Sequence, residues 1–214
     1  MSFVIAIDGP AASGKSSVSR ILAGKLGAIF VNSGAMYRAV TWAALQAGLD
    51  ANDAAALTQW IPTLAIECGE EHAHSTIRIL GQNPEPFLRD PEVNRAVSAI
   101  SAVPAVRSVL VEHLRRYALL GNVVMEGRDI GSVVFPETPY KFYIDACEKV
   151  RAKRRSAQGE TDAIAARDAY DSSRHTAPLK KAPDSIIIDS STMTLEEVVE
   201  AIYPHLRKLG LLID

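Results

Sequence analysis

Near its start the chain reads Gly9-Pro10-Ala11-Ala12-Ser13-Gly14-Lys15-Ser16, and no other stretch restricts its fold as strongly. The run follows a short apolar segment, Phe3–Ile7, and precedes a helical pattern over 15–26. A glycine-rich turn between a buried strand and a helix can wrap its backbone around an anion and point N–H groups inward. The helix N-terminus adds partial positive charge. The spacing G-x-x-x-x-G-K-S therefore predicts a cradle for phosphate. In it Lys15 reaches the β- and γ-phosphates of a nucleoside triphosphate, and the Ser16 hydroxyl can ligate Mg²⁺.

The rest of the chain repeats the strand-then-helix order. Further apolar runs of strand length lie at 28–31, 122–125, 140–144 and 185–188. They are almost continuously apolar, as strands buried on both faces are. Helical patterns separate them at 34–47, 104–119, 147–156 and 194–209, the last opened by the capping box Thr194-Leu195-Glu196-Glu197. This alternation predicts an α/β fold, a parallel sheet covered by helices on both sides. Two stretches break it. Residues 62–92 read as short alternating strands with Gly- and Pro-containing turns, a small antiparallel insertion. Residues 151–176 are polar and charged, helical in pieces.

Charge and cysteine usage narrow the class of partner. Lys plus Arg total 23 against 25 Asp plus Glu, a net charge of −2, which argues against a dedicated nucleic-acid or anionic-membrane binder. The N-terminal apolar run lacks the basic flank of a secretory signal, and no stretch is long and apolar enough for a membrane helix. Cys68 and Cys147 fit no metal or redox spacing and read as reduced thiols, so a cytoplasmic protein is expected.

Three further segments can carry chemistry. Asn32-Ser33-Gly34-Ala35-Met36-Tyr37-Arg38 follows the second strand, where an open α/β sheet places its ligands; Arg38 then faces the crevice, or is a solvated helix arginine. Glu126-Gly127-Arg128-Asp129-Ile130-Gly131 ends the third strand, a charged quartet in reach of a ligand or a surface turn held by an Arg–Asp pair. Arg167, Asp171 and Arg174 share one helix face, which on spacing alone an exposed ion pair worth about 0.3–0.5 kcal/mol explains better. The basic run Arg151-Ala152-Lys153-Arg154-Arg155 suits a phosphate contact or a solvated face. His72 and His74 have no third ligand nearby and read as an exposed strand.

Taken together, these segments resemble the bacterial cytidylate kinases along essentially the whole chain. Ile7-Asp8-Gly9-Pro10, Gly14-Lys15-Ser16, Ser33–Arg38, Gly127–Gly131, Val133-Val134-Phe135-Pro136 and Arg167-Asp168 with Asp171 and Arg174 carry the likeness. The resemblance implies a three-layer P-loop kinase fold with a five-stranded parallel sheet. It divides the chain into a core (1–61, 93–150, 177–214), a monophosphate-binding insertion (62–92) and a short helical lid (151–176). It implies transfer of the γ-phosphoryl group of ATP to CMP or dCMP, with Mg²⁺, in a monomer that binds neither nucleic acid nor membrane. Gly9, Pro10, Ala11, Ala12, Ser13, Gly14, Lys15, Ser16 and Ser17, with Arg151 and Arg155, are the implied ATP contacts, and Ser16 the metal ligand. Ser33, Tyr37, Arg38, Ser98, Arg107, Arg128, Asp129, Arg167, Asp171 and Arg174 are the implied CMP contacts. Among them Arg38 and Arg128 hold the acceptor phosphate, Ser98, Arg107 and Asp129 read the base, Arg167 and Asp171 hold the sugar, and Lys15, Arg128 and Arg174 act in catalysis. Asn32, Glu126 and Tyr170 depart from the usual residues, and the stretch between Arg155 and Arg167 is short for the family.

A phosphate loop alone indicates a nucleotide rather than a reaction. No lysine here follows an asparagine, so the Asn-Lys-x-Asp guanine reader of a GTPase switch is missing. The rival expectations are a kinase for another small acceptor, a nucleotide-dependent switch, and a nucleic-acid module using 151–155.

Overall fold

The computed structural model describes residues 2–157, 164–173 and 179–211, with backbone alone for Ile164–Arg167. In chain order the elements are β1 (Val4–Asp8), α1 (Lys15–Leu26), β2 (Ile29–Asn32), α2 (Ser33–Gln46), α3 (Ala54–Trp60), β3 (Ile66–Glu71), β4 (His74–Ile79), α4 (Pro91–Ile100), α5 (Pro104–Arg116), β5 (Val123–Gly127), β6 (Tyr140–Asp145), α6 (Glu148–Ala157), α7 (Ile164–Ser173), β7 (Ile186–Asp189) and α8 (Leu195–Lys208).

The strands form a single sheet in the order β3-β4-β2-β5-β1-β6-β7. The five-stranded parallel core β2-β5-β1-β6-β7 agrees with the apolar runs of the sequence. The sheet as a whole has seven strands rather than five, because the antiparallel β3–β4 hairpin joins its edge. Backbone pairing links Phe30 to His74 across β2 and β4, and Phe30 N–H donates to Ala73 O at 2.8 Å. Ile79 is fully buried, with Ile66 and Ile77 packed beside it. The insertion is thus continuous with the core, because hairpins bury an apolar face more easily against a neighbour than alone.

Side chains alternate between the sheet's faces and divide the core into two layers. Ile5, Ile7, Val124, Phe142 and Ile144 pack with Val18 and Leu22 of α1 and Val198, Ile202 and Leu206 of α8. Ala6, Val123 and Met125 turn to the other face and pack with Val40 and Ala44 of α2, Val97 of α4, and Leu110 and Leu114 of α5. Helix α4 shows Val93, Ala96, Val97 and Ile100 at helical spacing, with Pro91 in its first turn. It and α3 are helices beyond those expected. Both are short, ten and seven residues, and follow segments dense in turn-forming residues.

The Thr194 capping box is formed: Glu197 N–H donates to Thr194 Oγ1 at 3.2 Å and Thr194 N–H to Glu197 Oε2 at 2.7 Å. Ile202, on the buried face of the same helix, is fully enclosed. Urea titrations are expected to show Thr194→Ala destabilised by about 1 kcal/mol and Ile202→Ala by about 2–5 kcal/mol, the second through the cavity it leaves.

Candidate active site

Parallel register brings three strand ends to one edge. Asp8 of β1 pairs with Gly127 of β5, and Asn32 of β2 with Glu126. The turns after these strands carry three of the segments singled out in the sequence: the phosphate loop, 32–38 and 126–131. Asp8 fastens two of them. Its Oδ1 accepts from Ile130 N–H at 2.7 Å and its Oδ2 from Gly131 N–H at 2.8 Å. Both bonds favour the carboxylate, but complete burial outweighs them and pushes the pKa of Asp8 up to about 7.

The glycine loop begins at Gly9, where a Cβ would lie 2.1 Å from the Ile144 carbonyl oxygen of β6. No side chain can be admitted without moving the sheet. Gly14 closes the loop in the left-handed conformation (φ 93°) and leads into α1. Lys15 Nζ donates to Pro10 O at 3.1 Å and lies 3.9 Å from Glu126 Oε2. Ser16 Oγ donates to Glu126 Oε1 at 2.8 Å. The hydroxyl and the carboxylate, 110 positions apart in sequence, thus meet beside the lysine. Such hard oxygen donors suit Mg²⁺, which takes one or two protein oxygens and leaves the rest to phosphate and water. The residues present therefore fit the metal. Among the described residues there is no cluster of three or more His, Cys, Asp or Glu that could hold a metal by itself.

Helix α2 starts beneath the β5 turn. Asn32 caps it by accepting from Ala35 N–H at 3.0 Å, which gives this departure from the family pattern a local role. Ser33 Oγ donates to Glu126 O at 2.8 Å, and Arg38 donates to Gly34 O at 3.3 Å. Arg128 donates to Gly9 O at 2.8 Å and pairs with Asp171 at 3.0 Å, with Asp168 3.5 Å away. Arg107, 3% exposed, is ion-paired with Asp129, donates to Ser101 O at 3.3 Å and lies over the Tyr37 ring at 5.3 Å.

One cleft of about 580 Å³ gathers these parts. Ala11, Ala12, Gly14, Lys15, Ser16 and Ser17 line it together with Ser33, Tyr37, Arg38, Ser98, Arg128, Asp129, Arg155 and Asp171. Arg107 stands behind its wall, engaged with Asp129, and Arg151 beside it, donating to Ala11 O at 3.2 Å and to Ala146 O at 3.0 Å. Arg174 and the side chain of Arg167 lie outside the described residues. Tyr170 is 42% exposed.

Four further residues belong to the site, to which the sequence assigns no individual role. Asp8 is the one charged residue of β1 and directly precedes the loop, which is a usable signal. Arg154 lies within the basic run and donates to Ser13 O at 3.2 Å and Ser190 O at 2.7 Å. Asp168 accepts from Ala11 N–H at 3.0 Å. Ser101, whose carbonyl receives Arg107, has no sequence signal because its role is played by backbone.

A phosphate loop at the end of β1, Arg128 on the turn beside it, Arg38 on α2 and a seven-stranded α/β sheet define a P-loop kinase. Among solved structures, Deinococcus radiodurans tunicamycin resistance protein shares the fold, with a TM-score of 0.50 and 14% identity over 100% of this chain and 98% of that one. The chain is 41% identical over 210 residues to a cytidylate kinase of Rhodococcus opacus (strain B4), covering 92% of each. It is 41% identical over 209 residues to a cytidylate kinase of Geobacillus sp. (strain WCH70), covering 92% of this chain and 93% of that one. The family model "Cytidylate kinase" matches residues 5–208, and the chain belongs to the cytidylate kinase family.

The buried Asp8 has a measurable consequence. Its pKa is about 7 in the fold against about 3.9 in an unfolded chain. Between these values the folded protein binds a proton that the unfolded chain does not, so stability falls as pH rises from about 4 to about 7. Urea titrations at intervals across that range are expected to show a shallower fall for Asp8→Asn than for the parent.

Proposed function

We infer that the chain transfers the γ-phosphoryl group of ATP to CMP or dCMP, giving ADP and CDP or dCDP. The observation that carries this reading is the shared cleft: Lys15 and the glycine loop line it together with Arg38, Arg128 and Asp129. A donor triphosphate and an acceptor monophosphate then occupy adjoining parts of one space.

Charge sets the requirements of this reaction. The acceptor phosphate has a second pKa near 6 and is largely ionised at neutral pH, so it needs no strong base. Its repulsion from ATP is the obstacle: each pair of unit charges at 4 Å costs about 4 kcal/mol at an effective dielectric constant of 20. Lys15 neutralises the donor phosphates, while Arg38 and Arg128 hold the acceptor phosphate and align it for in-line attack. Ser16, with Glu126 beside it, would hold the Mg²⁺ that accompanies ATP. The metal supplies charge neutralisation on the phosphates. Arg155 and Arg151 complete the ATP side, and Ser33, Tyr37, Asp171 and Ser98 the CMP side. Arg167 and Arg174 take the sugar and phosphate roles that the family resemblance implies.

Base choice follows from Asp129. Cytosine presents an N4 amino donor where uracil presents an oxygen, so a carboxylate accepts from one and repels the other. Arg107 fixes that carboxylate from behind. The division into a core, an acceptor insertion at 62–92 and a lid at 151–176 is part of the same reading; Glu85, Pro86, Leu88 and Arg89 from the insertion and Arg155 and Asp171 from the lid line the cleft. So are a monomeric state and a cytoplasmic location. The free thiols Cys68 and Cys147 are compatible with a reducing compartment, and no single described helix is long and apolar enough to cross a membrane.

A coupled assay with ATP against CMP, dCMP, UMP and AMP tests the reading. Acceptor-dependent turnover with CMP is expected, and turnover confined to another acceptor contradicts it. Lys15→Ala is expected to lower kcat by orders of magnitude with the fold intact by circular dichroism; activity within threefold of the parent excludes the assigned role.

The kcat/KM for CMP is expected to exceed that for UMP by at least about tenfold, roughly 1.4 kcal/mol. Asp129→Asn should narrow the ratio mainly by harming CMP. The ratio is the informative quantity, since removing one partner of the buried Arg107 pair also lowers stability by about 3–5 kcal/mol.

A further inference from the structure

Asp168 stands on α7, 157 positions from the glycine loop in sequence, yet its carboxylate closes upon that loop. Oδ1 accepts from Ala11 N–H at 3.0 Å, and Arg128 Nη1 lies 3.5 Å from the same oxygen. Oδ2 accepts from Arg151 Nη1, which also donates to Ala11 O at 3.2 Å. The Asp168 side chain is 14% exposed, so these contacts operate largely out of water. One carboxylate therefore gathers a loop amide and two guanidinium groups. Convergent N–H donors of this kind, from an amide and from arginines, are what a phosphoryl group with its negatively charged oxygens takes. Ala11 and Arg128 line the cleft and Arg151 stands beside it, so two of the gathered donors border the space assigned to nucleotide.

We propose that Asp168 is a positioning residue acting as a surrogate anion: it holds the Ala11 amide and Arg151 on the ATP side, beside the acceptor-side Arg128, until ATP displaces it. The inference rests on the reading of the loop as an ATP site. A buried cation without a partner is costly; Asp171 already pairs with Arg128 at 3.0 Å, so the carboxylate of Asp168 chiefly answers Arg151 and the loop amide, with Arg128 at its edge. Asp168 thereby keeps the Arg151 guanidinium group on the loop. ATP must then expel this carboxylate from Ala11 N–H, and part of its binding free energy goes into that exchange.

A purely structural tie between α7 and the loop predicts the opposite sign. Removing such a tie loosens the site and weakens nucleotide binding, whereas removing a competing anion strengthens it. Calorimetric titration of the parent, Asp168→Asn and Asp168→Ala with a non-hydrolysable ATP analogue and Mg²⁺, without acceptor, separates the two. Asp168→Asn keeps the size and one acceptor oxygen but loses the charge, and it decides the matter. At least threefold tighter binding than the parent is expected, and unchanged or weaker binding overturns the proposal. Hydrogen exchange on the nucleotide-free proteins gives an independent readout. Protection at Ala11 in the parent should be lost in Asp168→Ala, and protection equal in both also overturns it. If the parent binds no ATP analogue, the ATP reading is what fails. The same titration with inorganic tripolyphosphate then decides the surrogate-anion proposal by the same sign.

Discussion

A strand buried on both faces can offer polar groups only where it ends, and this constraint governs the molecule. β1 and β5 are enclosed along nearly their whole length. Parallel pairing holds them in register, so Asp8, Glu126 and Gly127 reach the edge of the sheet together. The glycine loop, the Arg128–Asp129 turn and the start of α2 all leave from that edge. Asp8 then ties the first two through the amides of Ile130 and Gly131. A shift of register would separate Lys15 from Glu126, a β5 residue, and Arg128 from Gly9 O.

Charge compensation organises what the strands deliver. A site for polyanions must keep cations largely out of water, and an unpaired buried cation costs several kcal/mol. The structure answers with internal carboxylates. Glu126 stands by Lys15, Asp129 pairs with Arg107, and Asp168 and Asp171 face Arg128. Two different outcomes follow from this one device. Arg107 lies behind the cleft wall, with Ser101 O and the Tyr37 ring around it, and holds Asp129, which lines the cleft. The pairs on Arg128 lie at the cleft beside the phosphate loop, where the proposed displacement of Asp168 would take place.

Much of the framework was legible in the residues. Helix α1 occupies the stretch expected, 15–26, because the loop glycine fixes its start and Gly27, in the left-handed conformation, ends it. The five apolar runs became the five parallel strands, and the Thr194 box formed as written. The edge hairpin was legible as two strands but not as part of the main sheet, since a single bridge between Phe30 and His74 leaves no pattern in sequence. Helix α4 was missed although its apolar spacing is regular; ten residues after a proline-containing turn region give a weak local signal.

The site divides along the same line. The sequence by itself determined the phosphate loop, the strand cores and the charged segments at strand ends, because each depends on neighbours a few residues away. Tertiary structure decided the pairings: Ser16 with Glu126, Arg107 with Asp129, Arg128 with Asp171, and Asp168 with Ala11. The reason is physical. Backbone geometry and turn chemistry act over one or two turns of chain and leave a trace in residue order. Hydrophobic burial is non-directional, so which carboxylate meets which guanidinium is settled only when the helices have packed on the sheet.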